Sequence, residues 1–213
     1  MLIRDVMVRN PITVKQEMSV VDAKRVLQAN KISSVPVMNK NDELVGIITR
    51  NDLLKIFPSE ATTLDVYEIA GLLNKISVKD VMTKSVKTVS EDFTVEEAAR
   101  LMADYDIGCL PVLNGNLLVG IVTVSKLFRA FINMFSTSTP GVRAIISMED
   151  NRGTLANIAS KIAAAGGNII SVVTYDSVIA NQKKVTIKST VSIEDFKRIA
   201  SECNAEICDI RNV

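Results

Sequence analysis

The sequence predicts a mixed α/β chain, α+β in its layering. Two copies of one β-α-β-β-α unit pack about a pseudo-twofold axis, and a smaller β-α-β-β-α-β unit follows. Three observations carry this. A pattern that starts at Ile3 recurs from Val78. Within each copy the apolar spacing switches between strand and helix periods. After the small-residue stretch Ser136–Gly141 the order of elements changes. A length of 213 residues suits one or two domains of about 100–150 residues.

The repeat is read directly. Asp5-Val6-Met7 matches Asp80-Val81-Met82, and Val35-Pro36-Val37 matches Leu110-Pro111-Val112. Gly46-Ile47-Ile48-Thr49 matches Gly120-Ile121-Val122-Thr123, with one deletion in the turn after the Pro-Val strand. The boundaries drawn are 1–57 for the first repeat, 58–76 for an insertion and 77–135 for the second repeat. A linker at 136–141 leads to the last unit at 142–213.

In the first copy Ile12–Val14 reads as a short strand. Ser19 caps a helix running to about Ala29, with Val20, Ala23, Val26 and Leu27 on one face. Val35–Met38 is a strand, Asn39–Asp42 a turn, and Leu44–Thr49 the returning strand. Asn51 or Asp52 then caps a short helix that carries Leu53, Leu54 and Ile56. In the second copy Thr94 and Glu97 form a capping box. In the insertion, Thr62 or Thr63 caps a helix with Leu64, Tyr67, Ile69, Leu72, Leu73 and Ile76 apolar, packing on the repeats or on a dimer partner. A three-stranded sheet of this kind does not bury both faces well alone. Two copies packed sheet to sheet do, and a pseudo-twofold pair leaves two related clefts where ligands fit.

The last unit reads strand Val142–Met148, turn Asp150–Gly153 and helix Thr154–Ala165, ended by Gly166-Gly167. Strand Asn168–Tyr175 pairs with Lys183–Thr190. Ser192 and Asp195 open a helix containing Phe196, Ile199 and Ala200, and Ala205–Ile210 is a final strand. This order is ferredoxin-like.

Composition excludes several chemistries. The chain has no histidine and no tryptophan, so no Ser-His-Asp or Cys-His mechanism and no histidine-ligated metal site can be built within it. With 25 basic and 24 acidic residues it lacks the field that holds nucleic acid. There is no Walker-type loop and no clustered set of metal carboxylates. Cys109, Cys203 and Cys208 make no disulfide framework. Cys109 reads as a small buried or pocket-wall residue. No signal peptide and no run of about 20 apolar residues is visible. A cytoplasmic protein with no membrane partner and no enzymatic activity is expected.

The Gly46–Asp52 segment has a chemistry of its own. Gly46 permits close backbone approach. Thr49 ends a strand and offers a hydroxyl. Asp52 opens a helix, where a carboxylate accepts hydrogen bonds from both hydroxyls of a ribose. The helix start favours a phosphate, and Arg50 adds a positive charge. The plainer alternative makes Asp52 a helix cap and Thr49 an ordinary strand residue. In the second copy Lys126 stands at the position of Asp52. A lysine accepts no hydrogen bond, so that cleft is either empty or holds a different anion, with Ser125 capping the helix.

The Asp-Val-Met segments, the Pro-Val strands and Gly-Ile-Ile-Thr-Arg-Asn-Asp together resemble a tandem CBS-domain pair, or Bateman module, over about residues 1–133. The resemblance implies a regulatory sensor that requires no cofactor. It implies a regulatory ligand containing adenosine: AMP, ADP, ATP, NAD or S-adenosylmethionine. It also implies that each copy's Thr/Asp motif is completed by the other copy. One cleft then joins Thr49, Arg50 and Asp52 to Val86, Lys87, Ile107, Gly108 and Cys109. The other, doubtful cleft joins Thr123 and Lys126 to Pro11, Ile12, Ile32, Ser33 and Ser34. The first is the preferred adenosine site.

The turn Asp150-Asn-Arg-Gly153 with Leu155, followed by Gly166-Gly-Asn168-Ile, resembles an ACT domain. That implies an amino acid effector near Asp150, Asn151, Gly153, Leu155 and Asn168. A CBS pair followed by an ACT domain resembles the bacterial acetoin-utilisation regulatory type. A homodimer and a regulated protein partner are then expected. The alternative is a structural adaptor with degenerate ligand sites.

Overall fold

The structure is a computed structural model that describes residues 1–56, 73–135, 138–177 and 181–213. It divides into two compact units, Met1–Phe128 and Arg129–Val213.

In the first repeat the elements are α1 (Ile3–Val6), β1 (Val8–Arg9), β2 (Val14–Lys15), α2 (Val20–Ala29), β3 (Ser34–Met38), β4 (Leu44–Thr49) and α3 (Arg50–Ile56). The second repeats them as α4 (Val78–Val81), β5 (Val89–Ser90), α5 (Val95–Asp104), β6 (Cys109–Asn114), β7 (Leu117–Thr123) and α6 (Val124–Met134). The expected β-α-β-β-α order is present in both. The first strand is shorter and later than Ile12–Val14, because Pro11 precedes it and Ile12 stays exposed.

Each repeat opens with a one-turn helix that the sequence reading did not anticipate, and each docks on the opposite repeat. The Ile3 N–H donates to the Phe93 carbonyl, and the Val78 N–H donates to that of Met18. Asp5 accepts the Leu2 N–H at 2.9 Å, and Asp80 accepts that of Ser77 at 3.0 Å. These carboxylates hold the turns that present Ile3 and Val78, both fully buried. Val78 belongs to the first repeat's core, with Val14, Val20, Leu27, Val35, Val37 and Ile48.

The exchange continues into the sheets. β2, β3 and β4 form a three-stranded sheet, as expected. The second repeat's sheet has four strands in the order β1-β7-β6-β5, because β1 of the first repeat joins its edge with Val8 opposite Ile121. On the other side a single bridge pairs Ile47 with Thr83. Of the insertion, Leu73 and Ile76 pack on the first repeat's core. The rest of the expected helix, from Thr62 or Thr63 through Leu64, Tyr67, Ile69 and Leu72, lies outside the described residues.

Two helix caps differ from expectation. Thr49, not Asn51 or Asp52, caps α3, and Thr123, not Ser125, stands at the start of α6. In both places the strand's last hydroxyl accepts the N–H three residues on, so the cap lies in the strand. Ser19 and Thr94 cap α2 and α5 as read.

The C-terminal unit runs β8 (Val142–Glu149), α7 (Thr154–Ala164), β9 (Ile169–Asp176), β10 (Gln182–Ser189), α8 (Ile193–Glu202) and β11 (Glu206–Asn212). The sheet order is β11-β8-β10-β9, and every neighbouring pair is antiparallel. One sheet face, with Ala144, Ile146, Val185 and Ile187, packs on Ile158 and Ile162 of α7 and on Phe196 and Ile199 of α8. Burying each such side chain stabilises by about 1.5–3 kcal/mol. Gly141 already belongs to this unit, exchanging two backbone hydrogen bonds with Val213.

Candidate ligand-binding clefts

At the end of β4, Asp52 Oδ2 accepts the Thr49 N–H at 2.9 Å and the Thr49 hydroxyl at 2.7 Å. The Asp52 N–H donates back to Thr49 Oγ1 at 3.2 Å. This is a reciprocal box of the kind seen at helix starts. Asp52 is therefore the acidic partner of the Thr49 cap, and it uses Oδ2. The Arg50 N–H donates to the Ser33 carbonyl at 2.8 Å, which ties α3 to the segment before β3.

From the second repeat, Val86 and Lys87 lie on the loop ahead of β5, and the Lys87 ammonium sits 4.1 Å from the centre of the Tyr105 ring. The Ile107 N–H closes the end of α5 on the Met102 carbonyl. Gly108 accepts the Val124 N–H at 3.1 Å, at the start of α6. Cys109 begins β6 opposite Thr123, as Ser34 begins β3 opposite Thr49. Ser34 and Cys109 are equivalent residues of the two copies. Burial pushes the Cys109 thiol up, and the Ser34 hydroxyl partly offsets it.

The second cleft encloses a cavity of about 400 Å³. Pro11, Ile12, Ile32, Ser33, Ser34 and Thr123, all named for this cleft from the sequence, line it. Lys126 is not among its lining residues, although its backbone N–H is 3.4 Å from Thr123 Oγ1. Gly108, assigned to the first cleft, lines this one. The preference for the first cleft thus meets a formed cavity in the one held doubtful.

Sequence reasoning missed Val8, Asn10, Lys31 and Ser125, which also line the cavity. Asn10 and Lys31 have positive φ values of 48° and 53°. Asparagine tolerates that conformation through local hydrogen bonding, and an Asn-Pro step at the cleft edge was a readable signal. Lysine carries no such signal. Lys31 is the charged residue of this lining, and no carboxylate is part of it. Four hydroxyl-bearing residues, Ser33, Ser34, Thr123 and Ser125, line the same space as apolar Ile12, Ile32 and Pro11. Such a site sandwiches an apolar ring and hydrogen-bonds a polar, uncharged or anionic rim.

In the C-terminal unit the expected effector turn is self-contained. Asp150 pairs with Lys183 at 3.1 Å, and Asn151 donates to Glu149 at 2.6 Å. Gly153 has φ +86° and starts α7, a conformation that favours glycine. Leu155 packs on the core. Asn168 is not at this turn. Its N–H donates to Thr190 Oγ1 at 2.8 Å. The next residue, Ile169, lies in register with Ser189, which pairs with Val142 at the other end of the sheet. The reason is geometric: the 11 residues of α7 carry the chain back by about 16 Å at 1.5 Å each.

No described helix is long and apolar enough to cross a membrane. Among the described residues no cluster of three or more acidic or cysteine side chains could hold a metal.

A family model for the CBS domain matches residues 3–59 and 78–133, more than half of the chain. An uncharacterized protein of Methanocaldococcus jannaschii is 38% identical over 156 residues, spanning 62% of this chain and 92% of that protein. The inosine-5'-monophosphate dehydrogenase of Korarchaeum cryptofilum is 36% identical over 131 residues, 61% of this chain but 24% of the enzyme. The chain thus spans about a quarter of that enzyme's length. Among solved structures, a CBS domain pair in complex with 5'-methylthioadenosine and S-adenosyl-L-methionine is 30% identical with a TM-score of 0.52, covering 62% of this chain and 97% of that one. CBSX2 in complex with AMP is 31% identical with a TM-score of 0.51, covering 62% and 96%. A Vibrio cholerae protein assigned to acetoin utilization (AcuB) is 30% identical with a TM-score of 0.54, covering 65% and 95%.

Proposed function

Because the chain belongs to the CBS-domain family, we propose that it is a non-catalytic regulatory sensor whose paired repeats bind an adenosine-containing ligand. The observation that carries this is the 400 Å³ cavity between the copies, with apolar walls, four hydroxyls and Lys31. Similar pairs are solved with S-adenosyl-L-methionine, 5'-methylthioadenosine and AMP. Ile12 and Ile32 suit the two faces of a base. The start of α6, with Lys31 nearby, suits a phosphate or another anionic group. Thr49 and Asp52 remain the ribose-binding candidates of the first cleft. Ligand binding acts by differential affinity: it favours one arrangement of the repeats and so changes a surface that a partner protein reads.

The C-terminal unit supports the reading of an ACT-type, ferredoxin-like domain through its β-α-β-β-α-β order and sheet order. On that reading an amino acid effector sits at the Asp150–Gly153 turn without Asn168, and the cytoplasmic protein is a homodimer. A structural adaptor is the second reading, favoured by Lys126 in place of an acid and by the closure of Asp52 onto Thr49.

Thermal unfolding against AMP, ADP, ATP, NAD and S-adenosylmethionine tests the sensor. A ligand at about 100 times its Kd stabilises the native state by roughly 2.7 kcal/mol. At least one adenosine compound is expected to raise Tm, and Thr123→Ala or Asp52→Ala to cut the shift by about half, which identifies the cleft. No shift with any compound contradicts the sensor and leaves the adaptor.

A further inference from the structure

The two clefts are built from equivalent positions, and they differ in charge. Ser34 and Cys109 are equivalent in register, so Lys31 of the first repeat corresponds to Asp106 of the second. Both stand just past a helix with positive φ, 53° and 50°. Both donate their N–H three residues back, Lys31 to the Gln28 carbonyl and Asp106 to that of Ala103. The caps at Thr49 and Thr123 fix a second equivalence, Asp52 with Lys126. At both positions an acid of the first cleft is a lysine in the second. The first cleft's basic residues, Arg50 and Lys87, correspond to uncharged Val124 and Ile12 in the second. Charges that balance in the first cleft thus become positive only in the second, where an anion is favoured and a cation is not.

The hydroxyls are engaged differently as well. In the first cleft the Thr49 hydroxyl donates to Asp52 Oδ2 at 2.7 Å. Lys126 offers no oxygen, so the Thr123 hydroxyl keeps its proton for a ligand. Thr123 lines the 400 Å³ cavity with Lys31, exposed at its rim, and with Ser125, and no carboxylate is among the described residues of that lining. Small-molecule sites span about 300–1,000 Å³, so the space suffices. The lining lacks the group that accepts from both hydroxyls of a ribose. It has a cation and hydroxyl donors, which suit a phosphate.

Resting on the sensor reading above, we propose that the second cleft is a site for an adenine nucleoside monophosphate, held by base and phosphate with its ribose hydroxyls unread. Lys31, Thr123 and Ser125 meet the phosphate, and Ile12 and Ile32 flank the base. A cationic sulfonium ligand is disfavoured by the same charges. The first cleft, with Asp52, keeps the acid that a ribose needs.

The test is calorimetric titration of the full chain with AMP, 2'-deoxy-AMP, adenosine and S-adenosylmethionine. Asp52→Ala is titrated beside the native chain to isolate the second cleft. In it the two monophosphates are expected to bind with Kd values within about twofold of each other, and adenosine and S-adenosylmethionine at least about tenfold more weakly, the scale of one charge-assisted contact. Lys31→Gln added to it should weaken 2'-deoxy-AMP about tenfold. Lys126→Asp, which keeps the Thr123 cap, should create a preference of about tenfold for AMP over 2'-deoxy-AMP. Should a variant fail to fold by circular dichroism, 2'-deoxy-AMP binding to the native chain with and without Lys31→Gln decides. The proposal is overturned if 2'-deoxy-AMP binds tenfold or more weakly than AMP in Asp52→Ala, if adenosine binds as tightly as AMP, or if Lys31→Gln changes nothing. A folded Lys126→Asp chain that binds the two monophosphates alike also overturns it. Failure of both monophosphates while another adenosine compound raises Tm overturns this proposal alone, and failure of every adenosine compound overturns the sensor reading with it.

Discussion

The Asp52 carboxylate and the Lys126 ammonium occupy equivalent places, yet each follows a threonine that starts the next helix. The helix start at both sites rests on the hydroxyls of Thr49 and Thr123, which accept the N–H three residues on. A lysine at that place therefore keeps the element. Two glycines are less replaceable. A Cβ on Gly120 would meet the Met7 sulfur at 2.5 Å and the Val8 carbonyl at 3.1 Å, where β1 joins the second repeat's sheet. Gly46 faces Met82 in the same way. Gly120→Ala is expected to destabilise by about 1–3 kcal/mol in urea unfolding. Met7→Ala added to it should recover part of the loss, since the closest clash is with the Met7 side chain. The cysteines give a chemical readout. Burial is the main cause that holds the Cys109 and Cys203 thiols above their ordinary range. Thiolate is the reactive form, so exposed Cys208 should be alkylated first at neutral pH, and Cys109 and Cys203 only as pH rises. The linked stability is present below the ordinary thiol value of about 8.5 and is lost as pH rises through the higher folded values. Equal labelling of all three at neutral pH would contradict this.

Among the elements, the 10-residue helices α2, α5 and α8 were legible because each has a polar cap and an apolar stripe. Ser19→Ala is expected to cost about 1 kcal/mol by removing the oxygen that accepts the Asp22 N–H. At α5, the backbone N–H and then the hydroxyl of Thr94 hold the Glu97 carboxyl below its usual range. That contribution is present above the ordinary glutamate value of about 4.3 and is lost as pH falls through the lower folded one. Glu97→Gln should therefore flatten the acid limb of a stability-against-pH curve, with Thr94→Ala, which keeps the N–H, flattening it less; an unchanged limb in Glu97→Gln would refute the role. The one-turn helices α1 and α4 were not legible, because four residues show no period. Nor was the two-residue strand β1, whose partner lies more than a hundred positions away. Thr49-Arg-Asn-Asp52 carries the same capping signature as Thr94 to Glu97, so that cap was readable and was misplaced by giving Asp52 the first role. Asn168 failed for a topological reason. Two strands joined by a helix and running in the same sense place the second strand's start far from the first strand's end.

At the scale of the whole chain, the repeat made the clefts legible. Six residues that the resemblance to a CBS pair assigned to the second cleft line its cavity. Exchange of α1, β1 and α4 ties the two repeats through hydrogen bonds and buried residues, so a ligand between them acts on both. The regulatory account depends on that cavity being occupied. Its most direct test is a calorimetric titration of the native chain, Thr123→Ala and Asp52→Ala with the adenosine compound that raises Tm most. The account predicts saturable binding by the native chain and a Kd about tenfold weaker in Thr123→Ala, the scale of one lost hydrogen bond of about 1.4 kcal/mol. Native affinity retained in both variants, or no binding by the native chain, would contradict it.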